Sequence, residues 1–418
     1  MSVPGDRPAL ARTLGTGDAV VVGLSAMLGA GVFVAFTPAA AAAGRGMLIG
    51  LGVAAVIALC NAVASAQLAS SYPASGGTYL FGREVLGPWW GFLAGWGFVV
   101  GKTASCAAMA MTFAAYALPD GGWWQRGLAA LAVAAFTVLN LRGVTRTATA
   151  AKVLLAATLL VLLGFLALTA TGEPDPVTPL EATGDVWGVL QAAGLLFFAF
   201  AGYARIATLA EEVRRPELLG RAILVALGTA VALYLLVGLA LVRVLGAGLA
   251  DASTPIADAT AALGADWAVP VVRFGAAAAA LGALLALLAG VGRTTLAMAR
   301  ERDLPSPLAS VDPRHQVPDR AQVAIGAAVV ALVLAADLRG AIGFSSFGVL
   351  VYYAVANLAA LRQPPEQRRW PRGLQVLGLA GCLTMAAALP LGSVLAGVAV
   401  FAVGIAGRAL ALDRRGRA

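Results

Sequence analysis

The sequence predicts an all-α, polytopic membrane protein of about twelve transmembrane helices, and three observations carry that prediction. Of the 418 residues, 60% are hydrophobic and only 12% are charged, against about 25% charged in an ordinary soluble domain. Apolar runs recur at the length of about 20 residues that crosses a bilayer. The basic residues collect in the short gaps between those runs, as they do in the cytoplasmic loops of membrane proteins. A soluble chain of this composition lacks the polar surface to cover itself, so the bilayer is the solvent that fits.

Taken in order, the predicted spans are 18–43, 47–69, 88–117, 124–141, 149–171, 187–210, 221–245, 267–297, 321–337, 341–361, 373–390 and 392–411. The polar leader carries Arg7 and Arg12. The first apolar run is too long for a signal-peptide core and is expected to stay in the mature protein. Spans 9 and 10 are separated only by Asp337, Arg339 and Gly340, and spans 11 and 12 by Pro390.

Orientation follows from Lys and Arg. Arg83, Arg142, Arg146, Arg214, Arg215, Arg221, Arg300, Arg302, Arg362, Arg368, Arg369 and Arg372 fall on the same side as the N-terminus. The other side holds Arg45, Arg126, Arg243, Arg273 and Arg339 among many acids, Glu173, Asp175, Glu181, Asp185, Asp251, Asp258 and Asp266. The expected placement is the cytoplasmic (inner) membrane, multi-pass, with both termini cytoplasmic.

Several function classes are excluded at this point. The net charge of +8 belongs to the loops, so nucleic acid is not an expected partner. Cys60, Cys106 and Cys382 all lie inside apolar runs, which argues against a disulfide framework. The single histidine, His315, sits in a polar loop, and no His/Cys/carboxylate cluster suggests a metal; no cofactor is expected. The spans lack the converging polar groups of an enzyme and the filter motif of a channel.

Two spans are interrupted in corresponding places. Span 1 carries Gly23 and then Ser25-Ala26-Met27-Leu28-Gly29-Ala30-Gly31; span 6 carries Phe198-Ala199-Phe200-Ala201-Gly202-Tyr203. They open two five-span halves, and paired interruptions of this kind point to an inverted-repeat transporter with its site at the bilayer midplane. Glycine lets a helix unwind, and unwinding frees backbone groups that are costly in lipid unless they line a cavity or meet a ligand. Freed N–H groups suit a carboxylate. Freed carbonyls suit an ammonium, so the pair matches an amino acid head group.

The motifs resemble those of the amino acid–polyamine–organocation superfamily of permeases. Gly23 to Phe33 looks like its opening "GxxxGAGxF" pattern. Phe197 to Tyr203 followed by Glu211-Glu212-Val213-Arg214-Arg215-Pro216-Glu217 is similar to "FFAFxGF … EEVxxPE". Tyr72 to Tyr79 resembles "YPxxGGxYxY", and Ala297 to Pro305 resembles "AMARDGxLP" with an insertion-like departure.

The resemblance implies a leucine-transporter-like core over 1–361, with repeats at about 18–171 and 187–361 and discontinuous helices 1 and 6. Two peripheral helices and a tail fill 362–418. It implies alternating access, with the carboxylate of an amino acid held at Ser25, Ala26, Met27, Gly29, Ala30 and Gly31. The α-amino group would meet carbonyls of Phe198, Ala199 and Ala201, beside Phe200 and Gly202. Phe198 stands where an aromatic gate is expected, or else is a core aromatic.

Intramembrane charges are functional hypotheses by default, because each costs about 2.5–3.5 kcal/mol at the bilayer centre on insertion scales. Lys152, near the start of span 5, is implied by the resemblance to take the place of a bound sodium and to couple transport to protons; an interfacial, snorkelling lysine is the alternative. Span 8 has no Ser or Thr from Gly275 to Arg293, which favours sodium independence. Arg205 stands just past Gly202, either repelling cationic substrates or pairing with Glu211 or Glu212 as an inner gate. Lys102 in span 3 should face the protein interior, in a role left open.

The expected function is sodium-independent secondary transport of an amino acid, proton-coupled or by exchange. Its small, apolar pocket residues lean towards a neutral substrate. The runner-up is another small solute such as an amine, polyamine or nucleobase. The sequence leaves the oligomeric state undetermined.

Overall fold

A computed structural model describes residues 16–72, 77–119, 121–143, 148–182, 185–202 and 219–416. Arg205, Glu211 and Glu212 lie outside the described residues. Within them the chain is helical, in the order α1 (Thr16–Met27), α2 (Gly31–Val34), α3 (Phe36–Ala43), α4 (Met47–Ser71), α5 (Gly77–Leu86), α6 (Pro88–Ala117), α7 (Trp123–Leu141) and α8 (Ala148–Thr171). There follow α9 (Val186–Phe200), α10 (Leu219–Leu245), α11 (Pro255–Ala262), α12 (Val269–Arg300), α13 (Asp319–Ala335), α14 (Leu338–Arg362), α15 (Arg372–Ala388) and α16 (Leu391–Gly416).

Every predicted span has a helical counterpart, though not all are full-length rods. Eight described helices are long and apolar enough to cross a bilayer, and the bent run Val20–Val34 plus Phe36–Ala43 makes a ninth. The other three, α9, α13 and α15, are shorter, with 15, 17 and 17 residues. At 1.5 Å per residue, 17 residues reach roughly 25 Å, just under the hydrocarbon thickness of about 30 Å. The short helices α5 and α11 were not expected, since neither has the length to register as a span.

Burial is arranged for a lipid solvent. Leu160, Phe274 and Val403 are 74%, 78% and 70% exposed on their helices, whereas the polar Asn61, Gln67, Ser345 and Asn357 are buried. In water this pattern would be costly, but against lipid tails an exposed aliphatic face costs nothing. Exposed tryptophans mark both ends of the bundle. Trp123, Trp124, Trp187 and Trp267 start α7, α9 and α12, while Trp89, Trp90 and Trp370 lie at the opposite end, as interfacial belts do.

The packing has an internal regularity. Helix α4 packs on α9 and α1 on α10; α6 packs on α14 and α8 on α12; α14 packs on α9 and α8 on α1. The helix pairs α6–α7 and α12–α13 also match, as do α5–α6 and α11–α12. Exchanging each helix of the first five spans for its counterpart in the second five converts each of these pairs into its mate. The short helices α5 and α11 exchange with one another under the same rule.

A charged cluster locks one end of the bundle. The Asp303 carboxylate is 3% exposed and meets Arg83 Nη1 at 2.9 Å from α5 and Arg408 Nη2 at 2.9 Å from α16. Tyr79 donates its hydroxyl to the same carboxylate at 2.8 Å. The Arg408 guanidinium lies over the rings of Trp89 and Phe92, 4.7 and 4.9 Å from their centroids, and donates to Pro88 O at 2.7 Å. The last span is thereby tied to the exit of α12 and to the helix after α4.

Candidate functional site

Helix 1 is broken where its glycines lie. α1 stops at Met27, residues 28–30 are non-helical, and one turn of helix resumes at Gly31. The Leu28 N–H still closes on Leu24 O at 2.7 Å, but among the described residues the N–H groups of Gly29 and Ala30 meet no backbone acceptor. A second discontinuity follows, a bend of 53° before Phe36. Pro38 accounts for it: its ring would strike the carbonyl four residues earlier, at Val34.

Helix 6 ends in the expected place as well. α9 runs to Phe200 and is followed by a turn at Ala201 and Gly202, where the described segment stops. At this helix end the Phe198 carbonyl accepts the Ala201 N–H at 3.4 Å.

The two interruptions meet backbone to backbone. A Cβ placed on Gly202 would lie 2.2 Å from Ala26 O and 2.6 Å from Met27 N. One placed on Gly31 would lie 2.6 Å from Ala199 Cα. Only glycine permits these two approaches. Gly29 is less crowded, with a Cβ meeting that of Ala283 in α12 at 3.0 Å.

Three side chains from other helices hold the freed carbonyls. The Tyr234 hydroxyl of α10 sits 2.7 Å from Met27 O and 3.0 Å from Ala199 O, so one hydroxyl bridges both breaks. Its ring packs edge-on against Phe200, 5.0 Å between centroids. Lys102 of α6 donates from Nζ to Ala201 O at 3.1 Å. An ammonium there complements the negative end of the α9 dipole. Tyr116, also of α6, donates to Phe33 O at 2.9 Å and so fixes the far side of the helix 1 break.

Of the residues singled out in the sequence, Ser25, Met27, Ala30, Gly31, Phe198, Ala199, Phe200 and Ala201 are all buried around this crossing, with Ala26, Gly29 and Gly202 forming its close contacts. Phe198 belongs to the same apolar cluster as Leu24, Met27 and Leu28. Beside the crossing, Ser25, Leu28, Leu154, Leu155, Thr158 and Ala279 line a cleft between α1, α8 and α12 that is too narrow for a water molecule. The Thr158 hydroxyl in it is already donated to Leu154 O at 2.8 Å.

Lys152 is exposed near the start of α8, two residues before Leu154 of that cleft. The lysine that reaches the breaks is Lys102. Tyr234 escaped the sequence reading altogether, although a signal existed: it is a lone polar-tipped aromatic within the aliphatic run Val231 to Val237, and a buried tyrosine hydroxyl usually finds a partner.

The chain matches the profile of an amino acid permease family over residues 14–410. It is 55% identical over 401 residues to an uncharacterized transporter of Mycobacterium tuberculosis, covering 95% of this chain and 90% of that protein. It is 28% identical over 387 residues to the branched-chain amino acid permease BcaP of Bacillus subtilis, covering 86% and 83%. It is 29% identical over 403 residues to the vacuolar cationic amino acid transporter 2 of Arabidopsis thaliana, covering 88% of this chain and 62% of the relative. With its apolar helices and a match over nearly its whole length, the chain belongs to the amino acid permease family.

Proposed function

We propose that the chain is a secondary active transporter that moves an amino acid across the cytoplasmic membrane by alternating access, without sodium. The observation that carries this reading is the crossing of two interrupted helices, Gly202 against Ala26 and Gly31 against Ala199. It brings free N–H groups and helix-end carbonyls to one place inside an apolar bundle. A carboxylate is the natural occupant of the first, and the carbonyl end complements positive charge. The exchangeable packing of the two five-span sets supports a division into repeats at about 18–171 and 187–361 that rock against one another.

Sodium independence is supported by what fills the polar positions. The Tyr234 hydroxyl engages Met27 O and Ala199 O, and the Lys102 ammonium engages Ala201 O. These carbonyls could otherwise have served as oxygen ligands for a cation. Span 8 offers no hydroxyl between Gly275 and Arg293. The driving force is then a proton gradient or exchange against a second amino acid. The arginine distribution supports cytoplasmic termini.

The test is uptake of radiolabelled amino acids by purified protein in proteoliposomes. Saturable uptake of at least one amino acid, unchanged when choline replaces sodium, is expected. Uptake that depends on sodium contradicts the coupling assignment, and a panel in which no amino acid is taken up contradicts the function. An imposed pH gradient against a preloaded amino acid separates proton coupling from exchange.

A further inference from the structure

Lys102 is a buried cation without a countercharge among the described residues. It is 7% exposed, and its one hydrogen bond goes to a neutral carbonyl, Ala201 O at 3.1 Å. An ammonium has three donors. Neighbouring polar groups are already engaged: the Ser105 and Ser345 hydroxyls pair with each other at 2.6 Å. The buried Asp303 carboxylate is held by Arg83 and Arg408, and Asp258 is bonded to Thr254. Burying a charge is costly unless it is paired. Lys102 nevertheless lies at the end of α9, one residue from Gly202, where that helix meets Ala26 and Met27 of helix 1.

The carbonyls expected to receive a solute's ammonium are also occupied from within. Ala199 O shares the Tyr234 proton with Met27 O, Phe198 O takes the Ala201 N–H at 3.4 Å, and Ala201 O takes Lys102. The amine-accepting end of the crossing thus holds a fixed positive charge of its own.

We propose that Lys102 sets the substrate class: its ammonium takes a carboxylate of the bound solute as its counter-ion and bars solutes with a cationic side chain, leaving neutral and acidic amino acids as permeants. A zwitterion supplies one carboxylate to the unspent N–H donors, and an acidic amino acid supplies two. Arginine, lysine or a polyamine would bring further positive charge next to a buried cation, the repulsive element by which sites reject unwanted partners. This inference rests on the amino-acid reading above. It separates this chain from its relatives named as cationic amino acid transporters.

The test uses full-length purified protein in two assays, thermal unfolding and competition against proteoliposome uptake, with alanine, leucine, glutamate, arginine, lysine and putrescine as probes. Neutral or acidic amino acids are expected to raise the melting temperature and compete, while arginine, lysine and putrescine at about 100-fold excess change uptake less than about twofold. In Lys102→Met, arginine and lysine should gain at least about tenfold in competition, while the wild-type substrate loses at least about tenfold in affinity. Lys102→Arg keeps the positive charge and should keep the exclusion.

Wild-type protein that accepts arginine or lysine overturns the inference, as does monodisperse Lys102→Met protein with an unchanged panel. If Lys102→Met does not fold, wild type and Lys102→Arg decide: exclusion by both supports the inference, and entry of a cationic amino acid through either overturns it. A panel in which no amino acid acts at all overturns the amino-acid reading and this inference with it, a result distinct from a response that includes arginine.

Discussion

Gly202→Ala puts a methyl group into the crossing itself. The added carbon would stand 2.2 Å from Ala26 O, 2.3 Å from Ala26 C and 2.6 Å from Met27 N. All three are peptide atoms, so no rotamer change relieves the contact. Moving the oxygen from 2.2 to 3.0 Å, still a tight approach, opens the crossing by about 0.8 Å. That shift pulls on the Tyr234 bridge, whose single proton is shared between acceptors at 2.7 and 3.0 Å. Overpacking of this kind costs about 1–3 kcal/mol.

If about 2 kcal/mol of that falls on the substrate-bound state, affinity drops roughly thirtyfold. The expected readings are proteoliposome uptake reduced at least about tenfold and a melting temperature lower by a few degrees, roughly 2–6 °C. Gly228→Ala is the matched control, because a Cβ at that position in α10 meets nothing within 4 Å. It should leave uptake unchanged and hold or slightly raise the melting temperature. Gly202→Ala protein with wild-type uptake and wild-type melting would refute the close crossing.

Three further outcomes follow from the geometry. Tyr234→Phe keeps the ring against Phe200 but leaves Met27 O and Ala199 O without their shared donor; stability should fall by about 1–3 kcal/mol with uptake reduced, read by thermal unfolding and transport. Asp303→Asn leaves Arg83 and Arg408 facing a neutral amide, and breaking such a buried pair should cost about 3–5 kcal/mol. A double-mutant cycle with Arg408→Gln should then show strong coupling between the last span and the α12 exit. Arg302 has φ of 61° at the residue after the α12 cap, where the Arg302 and Asp303 N–H groups close on Ala299 O and Met298 O. Glycine is the residue suited to that left-handed position, so Arg302→Gly should be more stable than Arg302→Ala, which loses the same side chain, by about 0.5–1 kcal/mol in thermal unfolding.

The span pattern was legible because lipid imposes it: a helix whose outward face meets hydrocarbon must be apolar over its whole crossing, and such a run stands out in one dimension. The breaks were legible for a similar reason, since Gly29, Gly31 and Gly202 mark where backbones approach or unwind. The bend before Phe36 was equally available in Pro38, yet it hides inside an alanine-rich run. Helices α5 and α11 escaped because each is too short for a hydropathy window, although packing makes them counterparts.

The site's polar partners were less accessible. Which lysine reaches the breaks depends on how α6 and α8 are rotated against their neighbours, and that is a property of the packed bundle. Sequence position singled out Lys152, whereas the contact of Lys102 with Ala201 O left no mark in the sequence pattern. Gly101 and Gly348 let α6 lie close against α14: a Cβ on Gly101 would stand 3.0 Å from Ser345 O, and one on Gly348 2.8 Å from Gly101 Cα. That close packing sets where the Lys102 side chain emerges.

Hydrogen–deuterium exchange of the purified protein in nanodiscs, with and without an amino acid that it transports, tests the central claim most directly. Binding at the crossing predicts slowed exchange over residues 25–31 and 198–202, with the rest of the bundle changing less. Protection confined to other segments, or none at all while saturable uptake is measured in the same preparation, would contradict it.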